Sequence, residues 1–385
     1  MKHLALLIFL AGCGSVAPFP DSGVVGDSGV VSVEDAGVQP DAGTSLTTTL
    51  VVKYPAGTHT LYVRGNKLPL NWNSGIAMTK VSADTWTLSL PTLTSDLEWK
   101  PLLDDTTWSR GPNWTAKLHQ RVEVAPRFTR DEGEWSVRWP NFPSTVLGNS
   151  RGISVYLPPT YLENAAARMP VVYMHDGQNL FDASTAFGGV TWRVPETMNA
   201  AANDGRFREA IVIGVDNTGS SRIDEYTPTA DPMYGGGKGE LYLRFLVEEL
   251  KPRVDSELRT KTGREDTVLI GSSLGGLISS YAGVKRADVF ANIGAMSPSV
   301  WWNGRVLLTL VSQSPSSRPT RVYVDSGDSG PSNDGVVDTR ELVSTYRALG
   351  YTDGLKHVEQ AGATHTEAAW ASRLPGALEF LLGPR

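Results

Sequence analysis

The segment from Thr267 to Gly276 carries the clearest chemistry in the chain. An apolar run, Thr267-Val268-Leu269-Ile270, ends in Gly271-Ser272-Ser273-Leu274-Gly275, and a helix-like stretch from Leu277 to Val284 follows. G-x-S-x-G between a strand and a helix is the setting in which a serine hydroxyl stands free at the carboxyl end of a sheet. Ser273, the central residue of the five, is the candidate nucleophile. The flanking glycines remove side chains that would collide at so tight a corner. The first turn of the following helix offers unpaired backbone N–H groups, which suit an oxyanion. A small-residue packing turn would read the same over five residues, so the rest of the chain has to supply a base and an acid.

Order along the chain narrows the base. In serine hydrolases of strand–helix architecture the nucleophile precedes the acid, and the acid precedes the histidine. Of His3, His59, His119, His175, His357 and His365, only the last two follow Ser273. His357 lies inside a strand-like run, with its side chain committed to one face of a sheet. His365 lies in the loop Gly362-Ala363-Thr364-His365-Thr366-Glu367, where an imidazole can reach a neighbouring strand end. His365 is therefore the expected base. The acid should follow the run Arg321 to Val324, in a loop that contains Asp325, Asp328 and Asp334. Asp325 closes the strand and suits a turn cap. Asp328 and Asp334 remain equal candidates for the residue that orients the imidazole. The spacing of this acidic loop does not follow the calcium-loop pattern of alternating Asp ligands, so a calcium site is not expected there.

These residues need a sheet to hold them. Strand-like runs recur at Ile153–Leu157, Val171–Met174, Ile211–Val215, Thr267–Ile270, Ile293–Met296, Arg321–Val324 and Leu355–Val358, with helical stretches between them. One of those stretches, Gly239 to Arg259, repeats Leu243, Leu246, Leu250, Val254 and Leu258 on one face, with a kink expected near Pro252. Strands alternating with helices predict a mostly parallel sheet covered on both faces, with ligands at the carboxyl ends of its strands.

Several segments of this region resemble the esterase branch of the α/β-hydrolases that includes enterochelin esterases, feruloyl esterases, S-formylglutathione hydrolase and the mycolyltransferases. They are Tyr173-Met174-His175-Asp176-Gly177-Gln178-Asn179-Leu180-Phe181, Arg222-Ile223-Asp224-Glu225-Tyr226-Thr227-Pro228, Gly271 to Gly276, Ser297-Pro298-Ser299-Val300-Trp301-Trp302, and His365-Thr366-Glu367 with Trp370. The resemblance implies an α/β-hydrolase fold over residues 137–385. It also implies an oxyanion hole built from the backbone N–H groups of Gln178 and Leu274. His175 would then shape the loop. Arg222, Glu225 and Tyr226 would line the substrate pocket or brace it, and Trp301 and Trp302 would wall it or pack beneath the loop. The chemistry implied is carboxylic ester hydrolysis through a Ser-His-Asp triad, with no metal and no organic cofactor.

Before this region, residues 46–126 hold short β-type runs and turn clusters, which predict a small antiparallel sandwich. Its motifs, Leu61 to Asn66, Leu70-Asn71-Trp72, Trp86, Glu98-Trp99-Lys100 and Trp108 to Asn113, resemble a starch-binding domain. That resemblance implies that Trp72 and Trp108 stack on sugar rings while Lys100 and Asn113 bond the hydroxyls. Trp86 and Trp99 are expected in the core. A structural sandwich with no ligand is the competing reading, and burial of Trp72 and Trp108 far from one another would select it.

The chain has 385 residues, a net charge of −6 and a single cysteine, Cys13. An acidic balance argues against a nucleic-acid footprint, and a lone cysteine excludes a disulfide framework, a thiolate metal site and a cysteine nucleophile in the folded part. Met1-Lys2-His3, the apolar run Leu4 to Leu10 and then Ala11-Gly12-Cys13 read as a secretory signal too short to span a membrane. Leu10-Ala11-Gly12-Cys13 resembles the bacterial lipoprotein box, which implies lipidation at Cys13 and a place in the bacterial cell envelope. Residues 14–45, rich in Gly, Ser, Val, Asp and Pro, read as a tether. The whole describes an exported, lipid-anchored serine esterase acting on an acylated carbohydrate or feruloyl-type ester. A siderophore esterase is the runner-up, and an acyltransferase would use the same triad.

Overall fold

The computed structural model describes residues 47–314 and 316–384. The expected signal, the lipidation site at Cys13 and the tether lie outside them. Among the described residues, no helix is long and apolar enough to cross a membrane.

An eight-stranded sheet organises the larger part of the chain. In spatial order its strands are Glu134–Ser144, Asn149–Leu157, Ile211–Val215, Val171–His175, Thr267–Ser272, Asn292–Met296, Arg321–Gly327 and Leu355–Gln360. The first two form an antiparallel hairpin, and Asn149–Leu157 also runs antiparallel to Ile211–Val215. Every later pairing is parallel. This is the α/β-hydrolase arrangement.

Its central strands are buried along their whole length and are accordingly apolar on both faces. Alternate residues feed two separate cores. Val171, Tyr173, Ile211, Ile213 and Leu269 pack with Leu243, Leu246, Leu277 and Leu342 from helices on one side. Val172, Met174, Val212, Val268 and Ile270 pack on the other side with Met198 and Ala201 of helix Val194–Asp204 and with Trp370, Leu374 and Leu378 of helix Glu367–Leu382. A period of two along a strand makes this division unavoidable.

The apolar stripe from Leu243 to Leu258 forms as expected, but Pro252 changes the helix in a different way. Helix Gly239–Arg244 widens into a π-helical turn over Phe245–Leu250 and then resumes over Lys251–Glu257. Proline lacks an N–H and crowds the carbonyl four residues back, so the turn before it opens instead of bending sharply.

The amino-terminal part is a sandwich of two sheets. One has the strand order Thr79–Lys80, Thr85–Leu90, Thr48–Lys53, Arg121–Val124, and the other is built on Leu61–Gly65 and Leu97–Leu103. Trp86 and Trp99 lie in its core, as expected. The sandwich is not wholly antiparallel, because Thr48–Lys53 and Arg121–Val124 pair in parallel. The chain between sandwich and sheet is fixed rather than free. Glu163 accepts from the backbone N–H groups of Phe128, Thr129 and Arg130 at 2.6–2.9 Å. Arg127, fully buried, donates to Ala202 O and Asn203 Oδ1.

Candidate active site

Ser273 joins strand Thr267–Ser272 to helix Leu274–Lys285 with φ 57° and ψ −121°, a conformation that a non-glycine residue holds only under constraint. The constraint is visible. Ser273 N donates to Met296 O at 3.0 Å, and Ser299 N donates to Ser273 O at 3.0 Å. A Cβ at Gly271 would come within 2.7 Å of the His175 ring and 3.0 Å of the Gly275 backbone, so the corner closes only around a glycine. Ser273 Oγ lies 3.3 Å from Ser299 Oγ.

Loop geometry brings one of the two candidate carboxylates, Asp334, to His365. After strand Arg321–Gly327 the chain makes a turn over Pro331–Gly335 in which Ser332, Asn333 and Asp334 all have positive φ. This folds the loop back under the histidine. Asp334 Oδ1 lies 2.6 Å from His365 Nδ1. Its other oxygen, Oδ2, accepts from Ser297 Oγ at 2.7 Å and from Gly327 N. The Asp334 side chain is fully buried whereas His365 is 42% exposed. Burial works to raise the Asp334 pKa, but the donors from His365, Ser297 and Gly327 outweigh it and hold the carboxyl below its ordinary range. An ionised Asp334 fixes the proton of His365 on Nδ1 and leaves Nε2 as the basic nitrogen.

Asp328, the other candidate, does not reach the histidine. It is exposed and accepts from Gly362 N at 2.6 Å, joining the loops that follow the last two strands. Asp325 is fully buried and paired with Arg373 at 3.0 Å. His357 sits on its strand 3.6 Å from Glu359. His175 lies under the elbow with Nδ1 on Tyr242 Oη at 3.0 Å, and burial lowers its pKa to about 3. It is therefore a neutral packing group.

Gln178 lies in the 3₁₀ turn Gly177–Asn179 that follows strand Val171–His175, and Leu274 opens the helix after Ser273. Both occupy first-turn positions, where backbone N–H groups have no partner within their own helix. Side chains hold the Gln178 turn in place. Asn179 Nδ2 donates to Glu367 Oε1 at 3.2 Å, Trp192 Nε1 bonds Glu367 Oε2, and Gln178 Oε1 accepts from Asn217 N at 3.2 Å. Glu367 thereby ties this turn to the helix that begins beside His365.

Two cavities meet at Ser273 and His365. One, of about 810 Å³, is lined by Gln178, Phe187, Val190, Glu367 and Trp370. The other, of about 960 Å³, is lined by Ile223, Tyr234, Leu274, Trp301 and Val337. Arg222 borders both and forms a two-point ion pair with Asp176, Nε–Oδ1 2.7 Å and Nη2–Oδ2 2.9 Å. Trp301 is 48% exposed and its ring meets that of Tyr234, 52% exposed, edge to face at 5.7 Å. Trp302 is buried and donates from Nε1 to Thr229 O at 2.8 Å, so it supports the wall from beneath. Glu225 does not line the cavity. It is buried behind it, clamped by Arg151 at 2.9 Å and Asn149 at 2.7 Å, and Tyr226 is buried beside His175. Among the described residues, no group of three or more His, Cys, Asp or Glu could hold a metal ion.

Ser299, Glu367, Asp176 and Tyr234 belong to this site; the first three lie in the motifs that carry the resemblance but with no role of their own expected, and Tyr234 lies outside them. Glu367 carried a signal, since it opens a helix whose cap is Thr366, but nothing in spacing indicated that it would reach Asn179 and Trp192. Tyr234 sits on a short hairpin, Ala230–Asp231 with Gly235–Gly236, that has no sequence period to reveal it.

Residues 144–381 match the family model described as Putative esterase. The chain belongs to that family. It is a carboxylic ester hydrolase. This esterase is 28% identical over 250 residues to the uncharacterized protein YbbA of Bacillus subtilis, a match covering 61% of this chain and 94% of YbbA. It is 28% identical over 160 residues to the ferri-bacillibactin esterase BesA of the same organism. That second match covers 37% of this chain and spans about half of BesA, 52% of its length. A solved structure of a ferulic acid esterase superposes with a TM-score of 0.52 at 20% identity, covering 65% of this chain and 98% of the other, which shows the shared fold.

In the sandwich of this esterase, Trp72 and Trp108 lie side by side. Their ring centroids are 6.2 Å apart, tilted by 41°, with the Arg64 guanidinium 5.2 Å over the Trp108 ring. Trp108 is 39% exposed and Trp72 half-buried. Lys100 Nζ donates to Gly111 O at 2.5 Å, and Asn113 Nδ2 to Glu98 Oε1 at 2.7 Å.

Proposed function

We propose that this esterase cleaves its ester through Ser273, His365 and Asp334. The 2.6 Å contact between Asp334 and His365, at the rim of the cleft that Ser273 enters, carries the reading. His365 Nε2 takes the proton of Ser273 Oγ as that oxygen bonds the carbonyl carbon. The N–H groups of Gln178 and Leu274 hold the resulting oxyanion, a contribution of about 3 kcal/mol for such a donor. Collapse breaks the bond to the alcohol oxygen, which leaves with the proton from Nε2. Water then gives a proton to Nε2, bonds the acyl carbon and releases the acid, restoring Ser273.

The aromatic corner of Tyr234 and Trp301 favours a substrate with a planar ring, a feruloyl-type ester. A catecholate siderophore ester is the second reading, favoured by the similarity to BesA. Comparing kcat/KM for methyl ferulate, an acetylated xylo-oligosaccharide, a ferric tricatecholate triester and p-nitrophenyl butyrate separates these. Methyl ferulate is expected to lead. A leading triester would select the siderophore reading, and sugar esters accumulating with an added sugar acceptor would select acyl transfer.

The same proposal gives the paired rings of Trp72 and Trp108 to a glycan, since neighbouring indoles, one exposed and one half-buried, suit the flat apolar faces of sugars. Retention on an amylose or xylan column is expected for the full chain and is lost in Trp108→Ala. Equal elution of both proteins from every polysaccharide would reject the glycan reading.

A further inference from the structure

Behind Asp334 lies a buried polar group that the reaction itself does not use. Ser297 is 1% exposed and sits at φ 38°, directly after strand Asn292–Met296. Its Oγ has three partners. Trp370 Nε1 donates to it at 3.0 Å and Arg373 Nη2 donates to it at 2.8 Å. The third partner is Asp334 Oδ2, at 2.7 Å. A hydroxyl has one hydrogen and two acceptor lone pairs, while indole and guanidinium nitrogens only donate. Both lone pairs of Ser297 are therefore occupied, and its single hydrogen must point at Asp334. The direction of this bond is fixed by its surroundings.

Those surroundings are firmly held. Arg373 is buried, with Nε 3.0 Å from Asp325 Oδ2 in an ion pair whose N–H is not aimed along the contact. Arg373 Nη1 also donates to Gln360 Oε1 at 3.1 Å. Ser297 N donates to Asp325 Oδ1 at 3.1 Å and to Asp325 O at 2.9 Å. Trp370 closes the circle, because its ring meets the His365 ring edge to face at 4.8 Å. One indole thus touches the base with its ring and directs the serine that holds the acid with its N–H.

We propose that Ser297 is a positioning residue that fixes the Asp334 carboxylate for His365, with Trp370 and Arg373 setting the direction of its hydroxyl proton. With Oδ2 held by Ser297 and Gly327, only Oδ1 faces the imidazole, so the histidine keeps one tautomer and one ring orientation. The inference rests on the triad reading above.

The positive φ of Ser297 makes a decisive test possible. Glycine fits φ 38° without strain, so Ser297→Gly removes the hydroxyl while relaxing the backbone, and Ser297→Ala removes the hydroxyl alone. For the full chain acting on p-nitrophenyl butyrate, both variants are expected to lose about 10- to 100-fold in kcat with KM unchanged, as for loss of a hydrogen bond to a charged group. Ser297→Gly should melt no lower than Ser297→Ala. The low-field proton resonance of His365 Nδ1–H should shift or broaden in both. Trp370→Phe keeps the ring against His365 but removes its donor, and should cost about threefold to tenfold in kcat. It reads the same network should the serine variants not fold. Wild-type kcat with an unmoved low-field proton in Ser297→Gly would overturn the proposal. A wild type with neither esterase activity nor a low-field proton would instead overturn the triad reading beneath it.

Discussion

Asp334→Asn is expected to lower kcat by about 10⁴-fold, while Asp328→Asn stays within about twofold of wild type. The difference follows from what each carboxylate holds. Asp334 accepts the Nδ1 proton of His365 at 2.6 Å, which makes Nε2 the basic nitrogen facing the cleft. An amide there can present its NH₂ to Nδ1, which drives the proton to Nε2 and removes the base without disturbing the shape of the site. Asp328 accepts from Gly362 N in the loop after the last strand and from the neighbouring Ser329, away from the imidazole, and is exposed. Steady-state kinetics on p-nitrophenyl butyrate, with melting curves to confirm folding, read both variants at once. Comparable losses in the two would mean that the loop rearranges on substrate binding.

Ser273→Ala is the second large effect, a loss of about 10⁶-fold in kcat. Ser273 occupies φ 57°, and the corner is pinned by backbone bonds to Met296 and from Ser299, so alanine should be held in the same place with only the Oγ missing. The adjacent Ser272 cannot take over. It is the last residue of its strand and is 3% exposed. Ser299 is closer, with its Oγ 3.3 Å from Ser273 Oγ on the wall of the same cavity, but it is only 5% exposed and has no histidine partner among the described residues.

The sequence made the elements legible where a single local rule sufficed. Five residues around Ser273 carry their own steric logic, and chain order removes every histidine but two. The alternation of apolar strands and helices was enough for the sheet, whose residues divide between two cores as a period of two requires. The acid was not legible, because Asp325, Asp328 and Asp334 share one loop and spacing says nothing about its path. Positive φ values at three non-glycine residues, Ser332, Asn333 and Asp334, bring Asp334 to His365, and Gly330 and Gly335 on either side mark a turn without stating which carboxylate it delivers. Glu225 shows the same limit. It stands three residues from Arg222 on one short helix, yet Arg222 faces the cleft and Glu225 meets the buried Arg151. The parallel strand in the sandwich was hidden too, since one strand's pattern does not state its neighbour's direction.

The nucleophile can be read directly. A fluorophosphonate forms a bond from phosphorus to an activated serine oxygen and releases fluoride. Intact-mass and peptide analysis of the full chain should show one adduct, on the peptide containing Ser273. The label should be absent from Ser273→Ala and strongly slowed in Asp334→Asn. An adduct on Ser299 or elsewhere in the wild type, or undiminished labelling of Ser273→Ala, would contradict the account.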